Sequence, residues 1–153
     1  MSLSSDVITR LSGKTIATAE SLTGGGIGTA LTSVSGSSAV YKGGVISYTN
    51  EIKMNVLGVA VDTLEKNGAV SAQVAEEMVH GVRKLMHTDV AVSVTGLAGP
   101  GGDEYGNPIG TVFIGYEDSE RNISCQYLFA GSREDVRTQT IQAALDLILK
   151  FNE

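Results

Sequence analysis

The sequence is poor in cysteine, aromatic residues and basic charge. Its 153 residues include one cysteine, Cys125, no tryptophan, five tyrosines and three phenylalanines. A single cysteine excludes an intrachain disulfide and a cysteine-based zinc cluster, and it is typical of a reducing compartment. Eleven basic residues stand against seventeen acidic ones, which gives a net charge of −6. Because nucleic-acid surfaces are normally basic and supplied with stacking aromatics, DNA and RNA are disfavoured as partners.

A long apolar run is also missing. No stretch approaches the roughly 20 apolar residues that cross a bilayer, and the N-terminal residues lack the basic segment and apolar core of a secretory signal. We therefore expect a cytoplasmic protein that binds no membrane. The length, with 42% hydrophobic and 18% charged residues, favours one globular domain over residues 1–153.

The apolar residues follow strand and helix periodicities in turn. Strands are predicted at 14–20, 40–48, 89–95, 109–116 and 122–129, and helices at about 3–12, after 26, at 50–57, at 72–86 and after 132. Residues 59–70 are interpreted as a connection. Strands that alternate with helices predict an α/β fold with a mostly parallel sheet covered on both faces. The last two strands are joined by too short a turn for a parallel crossover, so the sheet is mixed.

Glycines are abundant where the first strand meets the second helix, at Glu20–Gly26. Unpaired amides at such a turn can hold an anion or a developing oxyanion, and Ser21 would present its hydroxyl at the carboxyl edge of the sheet. The alternative is a tight turn whose serine and threonine only cap the helix. The spacing fits neither a Walker A loop nor the dinucleotide-binding glycine pattern.

A second cluster, Ser47–Lys53, lies at the end of the second strand. A serine nucleophile without a histidine needs another base, and a desolvated lysine such as Lys53 serves once it is neutral. The two histidines, His80 and His87, lie in and just after helix 72–86, away from the glycine-rich segments. A Ser-His-Asp triad is therefore disfavoured. Alternatively, Tyr48 is an ordinary core or rim tyrosine and Lys53 a solvated helix residue.

A third glycine-rich segment, residues 95–104, follows a central strand. Its glycines let main-chain amides approach a ligand and form an anion-binding nest, although a flexible connection is the alternative. The adjacent Asp103 and Glu104 are interpreted as solvated loop residues rather than metal ligands. Arg133 and Arg137 share one face of the last helix. This face is interpreted either as a phosphate-binding site or as an ordinary solvent-exposed surface.

Five stretches occur in a fixed order: Ala19–Gly25, Gly44–Tyr48 with Asn50 and Lys53, Val94–Gly102, Pro108–Val112 and Gly131–Arg137. Together they resemble the CinA C-terminal domain family, in its stand-alone form, over nearly the whole chain. The resemblance implies a three-layer α/β/α fold with about five strands. It also implies hydrolysis of the carboxamide of nicotinamide mononucleotide in pyridine nucleotide salvage, without metal or cofactor, by a chain that forms homo-oligomers.

The resemblance also implies roles for individual residues. Ser21 matches the family's proposed nucleophile, and Lys53 and Tyr48 match the residues proposed to activate it. Amides around Thr23–Gly25 are expected to receive the oxyanion. The expected substrate-binding residues are Thr23, Gly24, Gly25, Thr95, Gly96, Ala98, Gly99, Gly101, Gly102, Arg133 and Arg137.

Two other functions are compatible with parts of the sequence. A non-catalytic nucleotide-binding or regulatory module would use the same glycine-rich loops. A short-chain oxidoreductase would use a tyrosine and a lysine four residues apart on one helix face. Tyr48 and Lys53 are five apart, with a helix cap between them, which disfavours the oxidoreductase.

Overall fold

In the computed structural model, which describes residues 2–153, one five-stranded sheet forms the centre of the molecule. Its strands are β1 (Ile16–Glu20), β2 (Tyr41–Ile46), β3 (Val90–Gly96), β4 (Thr111–Glu117) and β5 (Asn122–Leu128). Their order is β2-β1-β3-β4-β5. β1 pairs in parallel with β2 and β3, whereas β4 runs antiparallel to both β3 and β5. The expected mixed α/β sheet is confirmed.

Helices cover both faces of this sheet. They are α1 (Leu3–Arg10), α2 (Gly26–Thr32), α3 (Asn50–Asn55), α4 (Val61–Asn67), α5 (Ala72–Met86) and α6 (Arg133–Phe151). α5 packs on one face, and α1, α2 and α6 pack on the other. The strand residues alternate accordingly: Val92 joins the core under α6, and Ala91 joins the core under α5. Three layers result.

Several helix boundaries differ from the sequence-based expectation. The segment 59–70 was expected to be a connection but contains α4, which has seven residues and a single buried side chain, Leu64. Such a helix is too short to show a periodic apolar face, so the sequence offers no signal for it. α3 is capped by Thr49, whose Oγ1 accepts from the amide of Ile52, and not by Asn50 as expected.

Two helix starts match the sequence-based expectation. Ser71 caps α5, with its Oγ accepting from the amide of Val74. Ser132 and Asp135 form a reciprocal capping box at the start of α6, as their spacing predicts. This cap determines the start of α6 at Arg133, and so the positions of Arg133 and Arg137 on the helix. None of the helices within residues 2–153 is long and apolar enough to span a membrane.

The parallel part of the sheet brings three loops together. β1 ends at Glu20, β2 at Ile46 and β3 at Gly96, and all three strands point the same way. The segments that follow them therefore meet at one edge, which is where open α/β sheets bind ligands. Each of the three segments carries one of the motifs found in the sequence.

Candidate functional site

A cleft of about 850 Å³ opens at this carboxyl edge of the sheet. Ser21 lies on one wall, Tyr48, Asn50 and Lys53 on the next, and residues 95–105 on the third. Arg133 of α6 contributes to the rim. Its volume lies within the range of about 300–1,000 Å³ that accommodates small-molecule ligands.

Ser21 and Lys53 meet inside the protein. Lys53 Nζ lies 3.0 Å from Ser21 Oγ and donates a second hydrogen bond, of 2.7 Å, to the carbonyl oxygen of Ser47. Lys53 is 2% exposed and Ser21 is 8% exposed. Burial lowers the pKa of the Lys53 amine from 10.5 to about 8, because desolvation disfavours its charged form. No carboxylate within residues 2–153 forms a salt bridge with this amine.

The start of α3 places Lys53 within hydrogen-bond distance of Ser21. The amide of Ser47 donates to the carbonyl of Glu20, which ties the end of β2 to the end of β1. Thr49 then caps α3, so that Lys53 lies one turn into the helix with its own amide bonded to the Thr49 carbonyl. This short strand–helix connection explains how a lysine 32 residues away in the chain reaches the serine.

The glycine-rich turn is built around the buried carboxylate of Glu20, which is 2% exposed. Its Oε1 accepts from Thr23 Oγ1 (2.6 Å) and the Ile27 amide (2.9 Å), and its Oε2 accepts from the Gly28 amide (3.0 Å). The first amides of α2 are thus bound by the protein's own carboxylate. An external anion would have to use other donors.

The amides of the turn itself remain as such donors. Gly24 and Gly25 have φ of +59° and +100°, conformations that favour glycine. The Gly24 amide donates to the Ser21 carbonyl. The amides of Leu22, Thr23 and Gly25 donate to no other residue in the described part of the chain.

Arg137 stabilises this turn through hydrogen bonds to two of its carbonyl groups. Its Nε donates to the carbonyl of Leu22 (3.0 Å) and its Nη2 to the carbonyl of Thr23 (3.3 Å). Arg137 does not line the cleft, and neither do Thr23, Gly24 and Gly25. Four of the expected substrate-binding residues therefore form the support of Ser21.

Arg133, one turn earlier on α6, lies at the cleft. Its Nη1 donates to the carbonyl of Gly99 (2.8 Å) and its Nη2 to the hydroxyl of Tyr48 (3.0 Å). It thereby joins α6, the segment after β3 and the segment after β2 across the rim. Tyr48 is 61% exposed. Tyr48 thus contacts Arg133 at the rim, whereas Lys53 contacts Ser21 directly.

The third wall of the cleft is formed by the end of β3 and by part of the segment 97–110, which we call the cleft loop. Thr95, at the end of β3, is buried, and its Oγ1 donates to the carbonyl of Ala69 (2.8 Å). The remaining expected residues of this wall also line the cleft: Gly96, Ala98, Gly99, Gly101 and Gly102. The amides of Ala98, Gly99, Gly101 and Gly102 donate to no other residue between positions 2 and 153.

Some cleft residues were absent from the sequence-based set. Asn50 lines the cleft and could have been included, because it lies inside the motif that carries Lys53. Val70 and Tyr105 also line it. Their part in the wall depends on α4, which sequence periodicity did not detect.

The histidines contribute nothing to the cleft. His80 Nδ1 lies 3.0 Å from Glu117 Oε1, and the same carboxylate accepts from Arg83 and Asn122. Neither His80 nor His87 lines the cleft. Within residues 2–153 no three His, Cys, Asp or Glu side chains are grouped so that they could hold a metal ion. Ser21 has Lys53, and no histidine, as its basic neighbour.

Comparison with known proteins shows to which family this arrangement belongs. The family model described as "CinA C-terminal domain" matches residues 2–152. A CinA-like protein of Endomicrobium trichonymphae is 47% identical over 135 residues, which are 88% of this chain and 32% of that protein. A CinA-like protein of Thermotoga sp. is 44% identical over 90% of this chain and 34% of its own length. The chain thus spans about a third of the curated relatives it matches.

Solved structures agree with these matches. A competence/damage inducible protein from Agrobacterium tumefaciens superposes with a TM-score of 0.95 at 37% identity, covering 99% of this chain and 94% of that one. A CinA superfamily protein from Escherichia coli superposes with a TM-score of 0.95 at 34% identity, covering 97% and 88%. The chain therefore belongs to the CinA C-terminal domain family.

Proposed function

We propose that this chain hydrolyses the carboxamide of nicotinamide mononucleotide to nicotinic acid mononucleotide and ammonia, a reaction of pyridine nucleotide salvage. The observation that carries the proposal is the 3.0 Å contact between Ser21 Oγ and Lys53 Nζ. It combines a hydroxyl at the surface of a cleft with a buried amine whose pKa is lowered to about 8. Such a pair suits nucleophilic attack on an acyl carbon.

Neutral Lys53 removes the proton from Ser21 along their hydrogen bond. Ser21 Oγ attacks the carboxamide carbon, and the oxyanion that forms is stabilised by the amide of Leu22, the first of the turn after Ser21. This amide has no other partner in the described chain, and Leu22 lines the cleft. One such donor contributes about 3–4 kcal/mol to a transition state.

The leaving group is ammonia. The carbon–nitrogen bond breaks as protonated Lys53 returns its proton to the departing nitrogen, which leaves an ester between Ser21 and the nicotinoyl group. Lys53, neutral again, then accepts a proton from water as the water attacks that ester. The bond between the acyl carbon and Ser21 Oγ breaks as protonated Lys53 returns this proton to Oγ, which releases the acid and restores the hydroxyl.

The rest of the cleft suits the nucleotide part of the substrate. Arg133 lies on the rim, and the free amides of Ala98, Gly99, Gly101 and Gly102 lie on the adjacent wall. A guanidinium and a glycine-rich row of amides are both typical phosphate ligands. In this proposal Arg133 binds the phosphate, whereas Arg137 keeps the turn at Ser21 in shape.

Ammonia release from nicotinamide mononucleotide tests the proposal. The wild type is compared with Ser21→Ala and Lys53→Met, and with Ser119→Ala and Lys84→Met as controls at exposed positions. We expect release by the wild type and both controls, and a loss of at least about a hundredfold in both site variants.

Two other outcomes would argue against the proposal. Near-normal release by Ser21→Ala would exclude this serine as nucleophile. No release by the wild type, with the nucleotide still raising the melting temperature, would favour the non-catalytic binding module, for which the same loops suffice.

A further inference from the structure

We propose that Tyr105 is a positioning residue that docks the cleft loop on α4, so that substrate affinity depends on a helix that carries no reacting group. This inference rests on the proposed function for its kinetic part only. Its structural part concerns the ligand-free protein.

The docking contact is made by the hydroxyl of Tyr105. Tyr105 Oη lies 2.9 Å from the carbonyl oxygen of Glu65 and 3.2 Å from that of Leu64, both in the last turns of α4. The Leu64 carbonyl also accepts from the Gly68 amide, whereas the last carbonyls of a helix, such as that of Glu65, lack helical partners. The tyrosine hydroxyl thus completes the end of α4 and fixes the loop at the same time.

The ring of Tyr105 also requires a glycine at position 68, directly after α4. Gly68 follows the helix with φ of +77°, and a Cβ there would lie 2.5 Å from Tyr105 Cδ1. Only a glycine leaves room for the ring in this position. The helix end and the aromatic side chain are therefore fitted to each other.

Contacts within the loop connect Tyr105 to the cleft wall. The Asp103 carboxylate accepts from the amides of Tyr105 (3.1 Å) and Asn107 (3.2 Å) and from Asn107 Nδ2 (2.7 Å). Asn107 Nδ2 also lies 3.2 Å from the carbonyl of Val70. The docked tyrosine is thus part of a closed turn that directly follows residues 98–102, which line the cleft.

The loop is held at its other end by Arg133, whose Nη1 donates to the Gly99 carbonyl. Between these two attachments, a Cβ on Gly101 or Gly102 would meet nothing within 4 Å. The side-chain positions of Gly101 and Gly102 thus face open space, so no packing on that side holds the middle of the loop. Loss of the attachment at Tyr105 would increase the disorder of the amides proposed to bind phosphate, and would leave the positions of Ser21 and Lys53 unchanged.

The test uses Tyr105→Phe, which removes only the hydroxyl, and Tyr105→Ala, which removes the docking contact. Tyr127→Phe is the matched control, because it also removes one tyrosine hydroxyl, but from β5, and Tyr127 does not line the cleft. KM and kcat are measured for nicotinamide mononucleotide. The amide order parameters of residues 98–104 are measured by nitrogen-15 relaxation without ligand.

For Tyr105→Phe we expect KM to rise about three- to tenfold, the effect of one net hydrogen bond, with kcat within about twofold. For Tyr105→Ala we expect a larger rise in KM, and order parameters in 98–104 that fall from about 0.85 towards 0.6. The turn at 21–26 stays rigid in both variants. The control leaves all values unchanged.

Order parameters that stay at the wild-type level in Tyr105→Ala would overturn the proposal, and so would a fall in kcat at constant KM. If the wild type releases no ammonia, the proposed function fails. The relaxation measurement still decides the role of Tyr105 in that case, so the two failures are distinguishable.

Discussion

Replacing Lys53 with methionine should abolish activity and yet stabilise the protein near neutral pH. Burial lowers the pKa of Lys53 from 10.5 to about 8. The gap of about 2.5 corresponds to roughly 3 kcal/mol, at about 1.4 kcal/mol per pKa unit. This is the order of the cost of burying the protonated amine. Methionine has a similar length and carries no charge.

The pH dependence of this cost has a definite sign. Below about pH 8, Lys53 is protonated in the folded and the unfolded chain, so the full cost is present. Between about 8 and 10.5 the unfolded chain binds more protons than the folded one, and the stability of the wild type rises with pH. Lys53→Met lacks this rise. The free energy of unfolding of the variant minus that of the wild type should therefore fall by more than about 2 kcal/mol between about pH 7 and pH 10.

The loss of two hydrogen bonds opposes the stabilisation that Lys53→Met brings by removing the buried charge. Lys53 bonds Ser47 O and Ser21 Oγ, and each bond contributes about 1 kcal/mol. The net expectation is a variant more stable by about 1 kcal/mol near pH 7 and less stable by a similar amount near pH 10. The corresponding shifts in melting temperature are about 2–4 °C per kcal/mol.

Urea or thermal unfolding of both proteins across this pH range is the assay, with Lys84→Met as a control for the loss of an exposed lysine. Other groups titrate equally in variant and wild type, so the difference isolates Lys53. A difference that is independent of pH would refute the reasoning, because it would mean that the Lys53 amine is not desolvated in the folded protein.

Three further results are expected. The rate of ammonia release by the wild type should rise with pH and level off above the Lys53 pKa of about 8; a rate that falls over this range would exclude the neutral amine as base. Glu20→Gln should lower the free energy of unfolding by about 1–3 kcal/mol, because the two Glu20 oxygens accept from separate groups and an amide offers only one acceptor; an unchanged urea midpoint would contradict this. Gly81→Ala should destabilise by about 2 kcal/mol or more despite the better helix propensity of alanine, because its Cβ would clash with the Leu57 carbonyl. Thermal unfolding equal to the wild type would show that the segment after α3 moves away from α5 at little cost.

The sequence alone determined most of the architecture. Alternating strand and helix patterns predicted five strands, the antiparallel last pair and the capping box at Ser132. They did so because long periodic segments and caps are local features. The motifs also identified the family, and they pointed to Ser21 and Lys53 before any geometry was known. α4 escaped detection because seven residues with one buried side chain leave no periodic trace.

The tertiary structure alone decided what the individual charges do. Arg133 and Arg137 are indistinguishable in sequence, four residues apart on one helix. A small difference in position gives Arg133 the rim of the cleft and Arg137 the carbonyls behind Ser21. Likewise, only packing lowers the pKa of the Lys53 amine, because desolvation depends on every element around it and not on its neighbours in the chain.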